Sequence, residues 1–196
     1  MAKQAERRAA TSEAILTAGR RLFGTQGFAA TTMDEIAEAA GIAKGAVYHH
    51  FKTKEAVFEA VFDLVSRDLV VEIDSAARAE KDVLAAMVVG TQHYFATTAK
   101  GPSGQIILRD GPAVLGWERW REIDARHFGG KMPRALSVAM EAGLIAKQPV
   151  EPLARLLLGA VTEAAVACAG RADIARAGAE YARAFKSLVE ALRLRA

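Results

Sequence analysis

The stretch TMDEIAEAAGIAKGAVYHHF, residues 32–51, decides how this sequence is read. It opens on Thr32 with Glu35 three positions later. That is a capping box, in which the threonine hydroxyl accepts from one free helix amide and the carboxylate reaches back to another. A short helix follows, with Ile36, Ala37 and Ala40 inward, and Gly41 stops it. Gly41-Ile42-Ala43 reads as a turn: the glycine takes the left-handed backbone, and the apolar residue after it plugs the gap between two crossing helices. The next helix covers about Lys44 to His50 and is too short and polar to be a core element. Val47 and Phe51 face inward, which leaves the other residues outward or at the edges. The pattern predicts a helix-turn-helix that presents its last helix to the major groove of double-stranded DNA.

The expected DNA-binding residues follow from chemistry. Gly45 and Ala46 let the backbone approach the groove floor or a thymine methyl. Tyr48 and His49 can donate to phosphates, with His50 beside them, and Lys44, Lys52 and Lys54 supply charge. Lys54 also begins a helix, where free amides favour an anion. Thr32 completes the set. Ala43 stands where a capping side chain would be useful, and its absence costs about 0.5–2 kcal/mol of helix stability. Weaker anchoring at that point is expected, not loss of binding.

Working outward, Ile15, Gly19, Leu22 and Phe23 predict a helix from about Thr11 to Gln26, ended by Gly27. Thr53 caps a long helix from about Lys54 to the high seventies, with Val57, Phe58, Val61, Phe62, Val65 and Leu69 on its apolar face. A further helix from about Asp82 to Lys100 ends in the expected loop Gly101-Pro102-Ser103-Gly104, followed by a short helix near Gln105–Asp110. The segment Ala113–Ala142 should break near Gly129-Gly130 and Pro133, and two more helices cover about Pro149–Ala169 and Asp173–Leu194. The expected fold is all-α, about nine helices: a DNA-binding domain over residues 9–55 and a helical domain over 56–196.

Just over half of the 196 residues are apolar, enough for a sizeable core. Residues 1–54 hold eight Lys or Arg against five acids, so the whole net charge of +3 lies in the quarter that carries the motif. The single Cys168 excludes an internal disulfide and reads as a small buried hydrophobe in a reducing cytoplasm. The N-terminus has no signal-peptide core, and no apolar run is expected to reach the roughly 20 residues that cross a bilayer.

Residues 31–62, TTMDEIAEAAGIAKGAVYHHFKTKEAVFEAVF, resemble the N-terminal domain of the TetR family of transcriptional regulators. The threonine-capped helix, the Ala-x-x-x-Gly-Ile turn, Lys-Gly-x-x-Tyr-x-x-Phe and Lys-x-Lys-Glu carry the likeness, which spans roughly residues 9–62. It implies a C-terminal domain that dimerises and binds a small-molecule effector, with the dimer set on a palindromic operator as a repressor.

For dimerisation, Leu156, Gly159, Ala160, Glu163 and Ala167 on one helix and Tyr181, Phe185 and Leu188 on the next suggest two pairs that form a four-helix bundle. For the effector, Trp117, Trp120, Asp124 and Phe128 share a helical face with Arg121 and His127 beside it. Arg109 precedes them, and Met87, His93 and Tyr94 lie on an earlier helix. Tryptophans at helical spacing are also ordinary core, so the pocket reading competes with simple packing. No metal or cofactor is expected: His49 and His50 are adjacent and cannot face one ion, and HExxH, CxxC, phosphate-loop and nucleophile-elbow motifs are absent. The chain reads as no enzyme. Two alternatives are a constitutive or activating regulator without effector, and a helical enzyme or binding protein that retains a relic DNA-binding domain.

Overall fold

The structure, a computed structural model, describes residues 2–194. Among these, every regular element is helical, and the one bridge between extended residues pairs Ile145 with Arg193. In chain order the helices are α1 (Ala2–Ala30), α2 (Met33–Ala40), α3 (Lys44–His50), α4 (Lys54–Ala77), α5 (Val83–Thr98), α6 (Gly101–Gly104), α7 (Gly111–Leu115), α8 (Trp117–Phe128), α9 (Lys131–Glu141), α10 (Val150–Ala169) and α11 (Ile174–Leu192). A π-helical turn, Gln105–Asp110, joins α6 to α7.

Two compact units emerge. The first is the chain up to Val65 together with Gly101–Trp120; the second is Ser66–Lys100 together with the chain from Arg121 onward. The first unit thus takes in a segment from the middle of the chain, which the sequence assigned to the C-terminal domain. Its core is Ile15, Leu22, Phe23, Ile36, Val47, Val57, Phe58, Val61 and Phe62. Phe58 meets Phe23 and Phe28 edge-on at 5.2 and 5.3 Å, a favoured aromatic geometry. Gly19 matters here: a Cβ would sit 3.2 Å from Val61 Cγ2, so α1 and α4 could not approach as closely with a larger residue.

Three boundaries differ from expectation. Helix α1 begins well before Thr11, because AKQAERRAA holds only good helix formers and nothing to stop the helix. Gly27, at φ +81°, breaks the regular path as expected, and a last helical turn continues to Ala30. The expected loop 101–104 is a helical turn: Gly101 (φ +67°) ends the preceding segment, and Pro102 falls in a first turn, where its missing N–H costs nothing. Pro133 likewise opens α9, and the breaks fall at Gly116 (φ +74°) and Gly129-Gly130.

The second unit packs Leu84, Val88, Leu136, Met140, Ile145, Leu157, Phe185 and Val189 into one apolar cluster. Asp82 caps α5 by accepting from the amides of Leu84 and Ala85, both at 2.9 Å, and pairs with Arg193 at 3.1 Å. Those amides, foremost Ala85, and the guanidinium hold its carboxyl below the usual range.

Candidate functional site

In the first unit the capping box forms as read. Glu35 N–H donates to Thr32 Oγ1 at 3.2 Å, and Thr32 N–H donates to Glu35 Oε2 at 2.7 Å. The Thr32 hydroxyl also donates to that carboxylate at 2.8 Å, which lowers the Glu35 pKa. The exposed Thr32 side chain thus shapes the α2 terminus. Gly41 sits at φ +65° with its amide turned back to Ala37 and Glu38. Ala43 precedes α3 without a side-chain cap, as its chemistry requires.

Helix α3 rests on fully buried Val47 and shows the outside Lys44, Gly45, Tyr48 and His49, while Ala46 and His50 lie half-buried at its edges. Open space surrounds the position a Cβ of Gly45 would take. Lys44 Nζ lies 2.8 Å from the Asp34 carboxylate, which raises its pKa; both groups are exposed, so a phosphate can replace this partner at small cost. Lys52 is exposed.

Lys54 is a clear correction. Its ammonium donates to the carbonyls of Phe28 (2.8 Å) and Thr31 (2.7 Å) and stands 4.2 Å from the Phe28 ring centre. It satisfies acceptors at the end of α1 and is not held out toward a phosphate. The sequence reading missed Arg8, a cation near enough to His50 to act, after burial, in lowering that imidazole's pKa. The two arginines at positions 7 and 8 were the available signal.

The same unit holds part of the expected effector set. Arg109 is exposed and donates to Gln105 Oε1 at 3.4 Å, so it does not line an interior. Its neighbour Asp110 instead makes the long-range link, accepting from Phe28 N–H at 2.8 Å and from Gln105 Nε2 at 3.0 Å. Trp117 is half exposed and stacks on Trp120 at 5.2 Å, whereas Trp120 is 2% exposed. The Trp120 indole nitrogen has no hydrogen-bond partner among the described residues.

In the second unit Tyr94 is buried, with the Phe95 and Phe128 rings edge-on to it at 5.2 and 6.2 Å. Burial above all, then the Asp124 and Cys168 charges, pushes the phenol pKa up. Burial likewise raises the Asp124 carboxyl to about 6, against the opposing pull of Arg121 and His127. Arg121, expected beside that face, is exposed. Met87 packs against the apolar cluster, and His93 Nε2 lies 3.5 Å from Glu72 Oε2.

The expected dimer residues divide by helix face. Leu156, Gly159, Ala160, Glu163 and Leu188 are exposed, with Leu156 at 73% and Leu188 at 51%, while Ala167 and Tyr181 are half-buried. Phe185, at 4%, points into the core of its own unit and is removed from the interface set. Helix α10 also corrects the hydropathy reading: with a mean hydropathy of 1.5 it is long and apolar enough to cross a membrane by length and composition, although it is a helix of this folded unit.

Residues 15–61 match the family model for bacterial regulatory proteins of the tetR family, and residues 84–192, more than half the chain, match the tetracyclin repressor-like C-terminal domain. The chain belongs to the TetR family. Among curated proteins, the TetC protein of transposon Tn10 from Escherichia coli is 24% identical over 80% of this chain and 79% of its own length. The regulator AcrR of Shigella flexneri is 44% identical over 28% of the chain and 25% of its own length. A TetR-family regulator from Pectobacterium atrosepticum superposes with a TM-score of 0.85 at 26% identity, covering 100% of this chain and 98% of the other. RolR solved with resorcinol gives 0.73 at 18% identity, over 94% and 89% of the two chains. FadR from Bacillus subtilis with stearoyl-CoA gives 0.69 at 15%, over 89% and 97%. This TetR-family chain is a transcriptional regulator with a DNA-binding helix-turn-helix.

Proposed function

We propose that this regulator is a homodimeric repressor that leaves a palindromic operator when a small-molecule effector binds its second unit. The carrying observation is α3: a short helix on a buried Val47 anchor, its backbone open at Gly45 and its outer face composed of Lys44, Tyr48 and His49. Two such helices related by a two-fold axis read two half-sites about one DNA turn apart. The protein would act at the chromosome, in the cytoplasm. The purified protein should prefer the palindrome upstream of its own or a neighbouring gene, with affinity falling steeply as salt rises; no such preference would end this reading. Lys52→Ala is expected to reduce the log-affinity against log-salt slope by about 0.9, one lost phosphate contact, equally on specific and random duplexes.

The uncovered face of α10 and α11 supports self-association. Leu156 and Leu188 are large apolar side chains in water, and Gly159 and Ala160 leave room for a close helix approach. Leu156→Asp combined with Leu188→Asp should yield a folded monomer by light scattering and weaken operator binding at least tenfold. A double variant that stays dimeric places the interface elsewhere.

The effector reading rests on Tyr94, Asp124 and Phe128, polar groups gathered on aromatic walls. Because RolR was solved with resorcinol and FadR with stearoyl-CoA, these two compounds are the first to test for release of operator DNA. By linkage, a ligand that releases DNA must bind the DNA-free state more tightly, by the factor by which it weakens DNA binding.

A further inference from the structure

Lys44 opens α3 at the end that a helix-turn-helix turns toward base edges, yet its charge is already engaged. Both carboxylate oxygens of Asp34, in the first turn of α2, lie 2.8 Å from its ammonium. The pair crosses the Gly41 turn and ties the start of α2 to the start of α3, where Ala43 supplies no side-chain cap. The α2 terminus does not need Asp34 for its cap, because Thr32 and Glu35 complete that box between themselves. A carboxylate on the surface that meets a polyanion works against binding by like-charge repulsion, so its place there calls for a reason. The side chains of Lys44 and Asp34 are 60% and 63% exposed, so water screens the pair and a better-placed acceptor can displace the aspartate.

We propose that Asp34 is a specificity-determining residue: it holds Lys44 back from phosphates met at random and yields it only to acceptors docked at bonding distance on a matched site. This rests on α3 facing DNA. On unmatched DNA the attraction is loose and electrostatic, and an ammonium already neutralised by Asp34 releases no counterion there. On a matched site α3 is seated in the major groove, where a lysine can donate to guanine O6 and N7 or to a fixed phosphate. Exchange of one exposed acceptor for a closer set then costs little. Discrimination is a difference of two affinities, and a penalty on the wrong sequence raises it as surely as a gain on the right one.

The test compares full-length wild type with Asp34→Asn, a near-isosteric change, on two probes by fluorescence anisotropy over a salt series. One probe is a random-sequence duplex; the other is the duplex that wild type selects from a random pool. On the random duplex the variant should bind roughly fivefold more tightly near 0.1 M salt, with a log-affinity against log-salt slope steeper by about 0.9, the freed Lys44 contact. On the selected duplex the gain should be smaller, so the ratio of the two affinities falls. Random-duplex affinity that stays the same or drops overturns the inference, and so does an unchanged ratio. Selection that recovers no preferred sequence counts against the operator reading above, while the random-duplex arm still decides the role of Asp34.

Two further variants separate the ion pair from bulk charge. Glu38→Gln removes the same charge from another exposed position of α2 and should give a much smaller gain on the random duplex. In a Lys44→Ala background, Asp34→Asn should lose most of its effect, because the aspartate acts through that lysine. Equal gains from Asp34→Asn and Glu38→Gln, or a gain undiminished without Lys44, assign the effect to net charge alone and overturn the inference.

Discussion

Lys54→Met is expected to lower the stability of the first unit by about 2–4 kcal/mol, the loss of two hydrogen bonds from a charged donor. For a chain of this size that is a fall of roughly 5–15 °C in melting temperature, read by circular dichroism. The variant leaves the carbonyls of Phe28 and Thr31 facing a methyl group, at the end of α1 where the helix dipole already places negative charge. Methionine keeps the length and much of the apolar contact with Phe28, so the change isolates the ammonium. A lysine whose chief duty is a phosphate would behave differently: its removal would leave the melting temperature unchanged and flatten the salt dependence of DNA binding. Measuring both on one variant decides between the two roles.

Gly24→Ala is the second large effect. A Cβ on Gly24 would lie 2.1 Å from Pro102 Cβ and 2.7 Å from Pro102 Cα. Neither atom can rotate away, because one belongs to a ring and the other to the backbone. The methyl must push α1 and the 101–104 turn apart, an overpacking cost of about 1–3 kcal/mol. Separation would strain the nearby Asp110 bond to Phe28 N–H and the seat of Gly27, whose Cβ position is 3.2 Å from Gln105 Nε2. The expected result is faster amide exchange over residues 101–115 with little change across 32–51. Unchanged exchange and melting would mean that the two segments do not pack so closely.

The extent to which the sequence disclosed this protein follows from the range of the interactions involved. Thr32 with Glu35, Gly41 with its left-handed turn, and the uncapped Ala43 act over three or four residues, so reading them needed no knowledge of distant neighbours. The α3 surface followed from the same local logic, since Val47 can be inward only if Lys44, Tyr48 and His49 are not.

The failures are long-range. Lys54 was correctly seen as a cation at a helix start, but its acceptors lie 23 and 26 residues earlier, where α1 ends. Phe28 N–H finds its acceptor 82 residues away in Asp110, while the sequence drew the eye to Arg109 beside it. Phe185 and Leu188 are three positions apart on one helix, and only packing decided that the first fills the core while the second meets water.

By itself, then, the sequence determined the helices, the turn and the surface offered to DNA, because backbone preference and capping act within one or two helical turns. The tertiary structure alone decided which of these charges are occupied within the fold. Lys54 and Asp110 look available in the sequence, and what occupies them is the helix end that the fold brings within 3 Å.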